Sequence, residues 1–447
     1  MRRVHILLLV LGFGVAVWAV GQTAGSTQAI LTEVSRLVAR REYTAALDLF
    51  DKLDKSASQT AEIQLLRASV LNSAGRPADA RAIATGISSR DPNNINALLV
   101  LAASAAIEGK DREQRTTLEK VIKLDPKNIK ALSDLGYIAL RAQSLRTAAG
   151  HFDKALALDG NYREALVGRA IVYRYANNPR RSEQLLSKAI QLNPQWAEPL
   201  NERARLYKGA GFPEDALKDL DAAKKLEPNN YWVSVDRAAT LIELNRKPEA
   251  LKELDHAIAL SPNTFLAYIY RAGIKDESGD YQGAEQDYAV LIRLKPDYYF
   301  AAEGLGIIKM RNKQYVEARD AFLAAYKQAP KEHHYALLAA INWMRAGRLT
   351  DPKQFLAQVL RTVPRDTPDW YLLRLYHDLA GDSDVADKAN KEQNLDTKSK
   401  MLFYIAHYYD IRGNKTLANN YFSMVKEMNR RGTIEWKINE VLNDEQQ

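Results

Sequence analysis

Side chains capable of chemistry are present in this chain, but they are not spaced for it. Seven histidines lie at His5, His151, His256, His333, His334, His377 and His407, and none stands in the H-E-x-x-H spacing that brings two ligands and a base onto one helix face. His333 and His334 are adjacent, so a helix turns them to different sides and away from a shared metal. The 447 residues include no cysteine, which excludes disulfides, thiol catalysis, cysteine-ligated zinc or iron–sulfur clusters and a lipidated cysteine. No G-x-S-x-G elbow, P-loop or dinucleotide fingerprint occurs. Acidic neighbours such as Asp276 and Glu277 read as solvated helix face. The expectation is a protein that is not an enzyme and holds neither metal nor cofactor.

Composition narrows the alternatives. With 46% hydrophobic residues the chain has enough apolar surface to offset the entropy of ordering, which excludes disorder as its overall state. Its 63 basic and 55 acidic residues leave a net charge of +8 with the signs interspersed, so no nucleic-acid partner is expected. Arg2 and Arg3 precede the apolar stretch Val4 to Val20, and Ala19-Val20-Gly21 puts small residues where a signal peptidase needs them. Residues 1–21 are therefore expected to be a signal peptide and the protein to be exported, most simply to a periplasm. An uncleaved N-terminal anchor is the alternative. After cleavage the expectation is peripheral membrane contact or none.

The elements that must position any binding side chain follow a 34-residue lattice. Pro92, Pro126, Pro194, Pro228, Pro262, Pro296, Pro330 and Pro364 differ by multiples of 34, with Gly160 in the vacant place, so eight of the fifteen prolines share one phase. Small residues share it at Ala68, Ala102, Gly136, Ala170, Ala204, Ala238, Ala272, Gly306 and Ala340. A second series, Ala46, Ala80, Ala148, Ser182, Ala216, Ala250, Ala284 and Ala318, is interrupted by Gln114. Four places on stand large apolar residues such as Phe50, Leu118, Phe152, Leu220 and Phe322. Small residues permit close helix crossings and the large ones fill the space beside them, so the lattice implies two antiparallel helices per unit. Gly75, Gly109, Gly211, Gly279 and Gly347 mark the turn between the two helices, and the lattice proline ends the unit.

These residues resemble the tetratricopeptide repeat family. Leu135-Gly136-Tyr137, Arg169-Ala170-x-x-Tyr173, Arg203-Ala204-x-x-Tyr207, Gly279-Asp280-Tyr281-x-x-Ala284 and Tyr315-x-x-Ala318-x-x-x-Phe322 carry the likeness. Ten units fit without insertion from 27 to 366. Residues 367–398 read as a divergent hairpin, 399–432 as a further unit shifted by two places, and 433–447 as a capping helix, Thr433 to Leu442, with a polar tail. The resemblance implies an all-α, right-handed superhelical solenoid of stacked antiparallel hairpins, with the first helix of each unit lining a concave groove.

The same resemblance implies a protein–protein interaction scaffold that holds a peptide segment or helix of a partner protein, and the signal segment adds the expectation that it works in the cell envelope. Groove residues expected from the lattice are Lys130, Tyr137, Arg141, Arg174, Tyr175, Asn201, Arg205 and Lys208, a basic and aromatic section. Trp232, Tyr270, Glu303 and Arg311 follow in a more mixed section, which also includes Asp276 and His334. Reversing Arg174 and Arg205 to Glu is expected to leave folding intact. Some family members capture a C-terminal carboxylate with a Lys–Asn–Asn–Lys–Arg set; here Ser133, Tyr137, Gly168, Glu198 and Glu202 stand at those places, against such a role. An envelope glycan or peptidoglycan ligand is the alternative. It draws on the basic section and on the aromatic concentration Phe265, Tyr268, Tyr270, Tyr298, Tyr299 and Phe300.

Overall fold

A computed structural model of the chain describes residues 25–443; the signal segment read at 1–21 lies outside them. The described residues form 26 helices and no strand. First helices begin at Ala61, Ile95, Ile129, Arg163, Ala197, Tyr231, Phe265, Tyr299 and His333, each 34 residues after the last. Second helices begin at Pro77, Asp111, Leu145, Pro179, Pro213, Lys247, Tyr281 and Tyr315, on the same interval. The lattice proline lies in the short turn ahead of a first helix, where Asn94, Asn128 and Asn230 cap the helix by accepting from backbone N–H groups.

Between the helices of a pair the backbone passes through the left-handed region at one lattice place. Gly109, Gly211, Gly279 and Gly347 have φ of 71° to 80° there, but so do Gln143, Asn177, Asn245 and Lys313 at 55° to 59°. The turn is set by tertiary packing of the two helices and is kept even where the residue disfavours it.

Packing follows the small–large pattern. Ala102, Ala170, Ala204, Ala238, Ala272 and Ala340 are at most 2% exposed, and Leu118, Phe152, Leu186, Leu220, Leu254 and Phe322 at most 1%. A Cβ on Gly136 would come within 2.6 Å of the Phe152 ring, and one on Gly168 would overlap the same ring, so one phenylalanine fills the space that two glycines leave. The polar residues at these places are satisfied: Gln114, which interrupts the small series, accepts from Arg141 Nη2 at 2.9 Å, and Ser182 Oγ donates to the Ala170 carbonyl at 2.9 Å. Register weakens where the sequence does. The helix after Gly347 shortens to Pro352–Leu360, and the left-handed turns at Gly381 and Gly413 are 32 residues apart.

The chain divides into two compact units, Met1–Pro228 and Asn229–Gln447. Within each unit a first helix packs against its own second helix, and several also pack against the first helix of the next pair, as Ile129–Arg141 does against Arg163–Tyr175 and Tyr231–Glu243 against Phe265–Glu277. No comparable contact joins consecutive second helices among the described residues. First helices are therefore the closely spaced, inner side of each stack. In the first unit the stack curls enough for Arg41 to pair with Glu227 at 2.9 Å.

Candidate interaction face

In the first unit the inner face is built on Ile129–Arg141, Arg163–Tyr175 and Ala197–Gly209. Lys130 pairs with Asp134 at 2.9 Å. Tyr137 is 5% exposed, edge-on to Phe152, with its hydroxyl donating to the Glu164 carbonyl at 2.9 Å. Arg174 donates to Glu202 at 3.1 Å, and Arg205 pairs with the other oxygen of the same carboxylate. Asn201 is buried and Lys208 half-buried on that helix. Tyr175 is 61% exposed, with the Arg174 guanidinium 4.7 Å over its ring.

The expected basic section is thus charge-compensated. Glu164, Glu198 and Glu202 run along the face, and Glu202, 2% exposed, lies beneath two arginines. Burial, reinforced by the negative charges of Glu202 and Glu164, pushes the half-buried Glu198 carboxyl up to about 8. Turning Arg174 and Arg205 into Glu would leave Glu202 buried among new negative charges, so the expectation that such a variant folds normally is corrected here. Sequence reasoning missed this carboxylate line, although Glu164 and Glu198 are one period apart and Glu198 and Glu202 one helical turn.

Residues at the end of a first helix meet the second helix before it. Arg141 reaches back to Asp111 at 3.3 Å as well as to Gln114, and Arg311 places its guanidinium 4.4 Å over Tyr281. These two arginines are engaged in packing between neighbouring helices. Tyr175 occupies the same lattice place and stays open.

In the second unit Trp232 is half-buried and edge-on to Tyr231, and Tyr270 is half-buried, its hydroxyl pKa raised by burial and then by Asp236. Glu303 accepts from the Tyr335 hydroxyl at 2.5 Å; burial raises its pKa against the opposing effects of that bond and of Lys437. His333 pairs with Asp369 at 2.8 Å, while His334 packs on Tyr335 and burial lowers it to about 4. The aromatic concentration is split: Tyr268 is buried with its hydroxyl on the Pro262 carbonyl, whereas Phe300 is 49% and Phe265 37% exposed. Lys437, on the terminal helix Ile434–Asn443, donates to Asp276 at 2.8 Å on this inner face.

A sequence profile of the tetratricopeptide repeat matches residues 31–95, 235–299 and 274–333. The chain carries tetratricopeptide repeats. Three solved structures illustrate what this repeat protein is similar to. One comes from the functional characterization of Pseudomonas aeruginosa PilF, at 19% identity, covering 46% of this chain and 94% of that one, with a TM-score of 0.42. A tetratricopeptide repeat protein from Parabacteroides merdae gives 18%, 56%, 99% and 0.44 in the same order. The APC/C hetero-tetramer Cut9-Hcn1 gives 16%, 76%, 68% and 0.48. No curated protein matches the chain.

Proposed function

We propose that this repeat protein is a non-enzymatic adaptor that holds a peptide or helical segment of a partner protein on the inner face of its stacked first helices. The observation that supports it is the lattice itself, which repeats one helix face along the stack and varies the side chains on it. In the first unit that face offers an open aromatic at Tyr175, Lys208 one period after Arg174, and a network in which Arg174 and Arg205 are already held in place by Glu202. Pre-positioned arginines lose little side-chain entropy on binding, and an exposed tyrosine supplies contact area at low entropic cost. We further propose an envelope location, on the strength of Arg2, Arg3 and the apolar Val4 to Val20 stretch. No helix among the described residues is long and apolar enough to cross a membrane.

The test is chemical crosslinking in intact cells with the native chain and with Tyr175→Ala, Lys208→Glu. A specific protein recovered with the native chain and lost with the variant is the expected result. Equal recovery from both, or none from either, removes the reading, and saturable glycan binding by the purified chain would then favour the alternative.

A further inference from the structure

The terminal helix Ile434–Asn443 does more than close the last hairpin. It packs on Leu395–Ile411 and Lys415–Met428, as a cap would, and also on the first helix Tyr299–Arg311. Ile438 is 0% exposed, in one core with Tyr335, Met344 and Tyr404. Lys437 reaches Asp276, which is 161 residues away in sequence on the last turn of Phe265–Glu277 and whose side chain is 7% exposed. Apart from Lys415–Met428, those partners belong to first helices, so the terminal helix reaches from the last hairpin onto the inner face, where an adaptor of this kind would receive a partner.

Its fit is incomplete. Two buried polar atoms that it carries, Trp436 Nε1 and Glu440 Oε1, have no hydrogen-bond partner, and each such atom opposes docking. The connection to it is short and exposed, with Asn429 at φ 50° and Gly432 three residues on. An imperfect occupant on an open hinge is displaceable by one that completes the contacts.

We propose that the inner face of the second unit is a helix-binding groove closed by the chain's own terminal helix. Its partner is a short amphipathic helix that places a lysine or arginine against Asp276 and aliphatic side chains where Ile438 and Val441 now sit. The inference rests on the adaptor reading and deepens it. It gives the second unit a partner chemistry that Glu303 and Asp276 complement in charge, and it makes binding there compete with a segment of the same chain.

The test uses the full chain and a labelled peptide of residues 430–443, alongside the same peptide carrying Trp436→Phe and Glu440→Leu. Lys437→Glu sets a negative charge against Asp276 and opens the groove, so that variant should bind the peptide about tenfold tighter than the native chain does. The modified peptide should bind both chains more tightly than the parent. Equal affinity of native and Lys437→Glu chains overturns the proposal, as does an opened chain that dimerises by exchanging terminal helices. Hydrogen exchange on the native chain decides the case without a variant. Amides of Ile434–Asn443 should exchange faster than those of Leu395–Ile411, and faster still with saturating peptide; exchange of both only by global unfolding marks a fixed cap and overturns the proposal. Loss of in-cell crosslinking with intact peptide exchange would sink the adaptor reading alone, and the reverse pattern would sink only this one.

Discussion

At the scale of single residues, Glu198 and Glu202 are one helical turn apart yet are held in opposite ways. Glu202 is nearly buried and stays compensated because Arg174 and Arg205 both reach it. Glu198 is raised from an ordinary 4.5 to about 8, chiefly by burial. The folded chain therefore keeps a proton at neutral pH that the unfolded chain has released, and this carboxyl costs stability increasingly as pH rises from 4.5 to about 8, then by a constant amount. Glu198→Gln has no such cost. Urea unfolding of the two chains should show equal stability near pH 4.5 and a growing advantage of the variant up to about pH 8. An advantage that does not change with pH would contradict the assignment. The carboxylate line was legible as types and spacing, but its burial was not, because that depends on how closely the first helices approach.

At the scale of elements, each pair is held by the same devices in the same places. Arg203, Arg237 and Arg271, one period apart, reach from a first helix to the carboxylate sixteen residues on, Asp219, Glu253 and Asp287, in the second helix of the same pair; Arg169 at the same place reaches back sixteen residues to Asp153 in the preceding second helix. The left-handed turn recurs even at Gln143, where an L side chain is disfavoured. Gln143→Gly should therefore stabilise the protein by about 1 kcal/mol. Asn177→Gly should gain much less, since asparagine tolerates this conformation. Denaturant midpoints read the difference, and a destabilised Gln143→Gly would mean that the side chain, not the turn, matters there. Helix positions were legible because proline, small residues and glycine repeat at one interval. The left-handed turns at Gln143 and Lys313 were legible only through that interval, since neither residue type signals such a turn. The groove role of the terminal helix was not legible, because Lys437 and Asp276 meet only through the fold.

At the scale of the whole molecule, a family profile and an unbroken run of helix pairs identify the architecture, and the inner faces of its two units supply two different surfaces. One is charge-compensated and open at Tyr175; the other is covered by the chain's own terminal helix. Of the residues expected at the first-helix surface, Tyr137 is buried, and Arg141 and Arg311 are engaged with the preceding second helix although Arg141 stays exposed. On the proposed function, partners meet the first helices. This is tested most directly by placing a photoreactive residue at position 175 on a first helix and, in a separate chain, at the exposed position 146 on the second helix Leu145–Leu158. In living cells, position 175 should give a discrete adduct with a specific protein and position 146 should give none. An adduct from 146 alone, or the same adduct from both, would contradict the account.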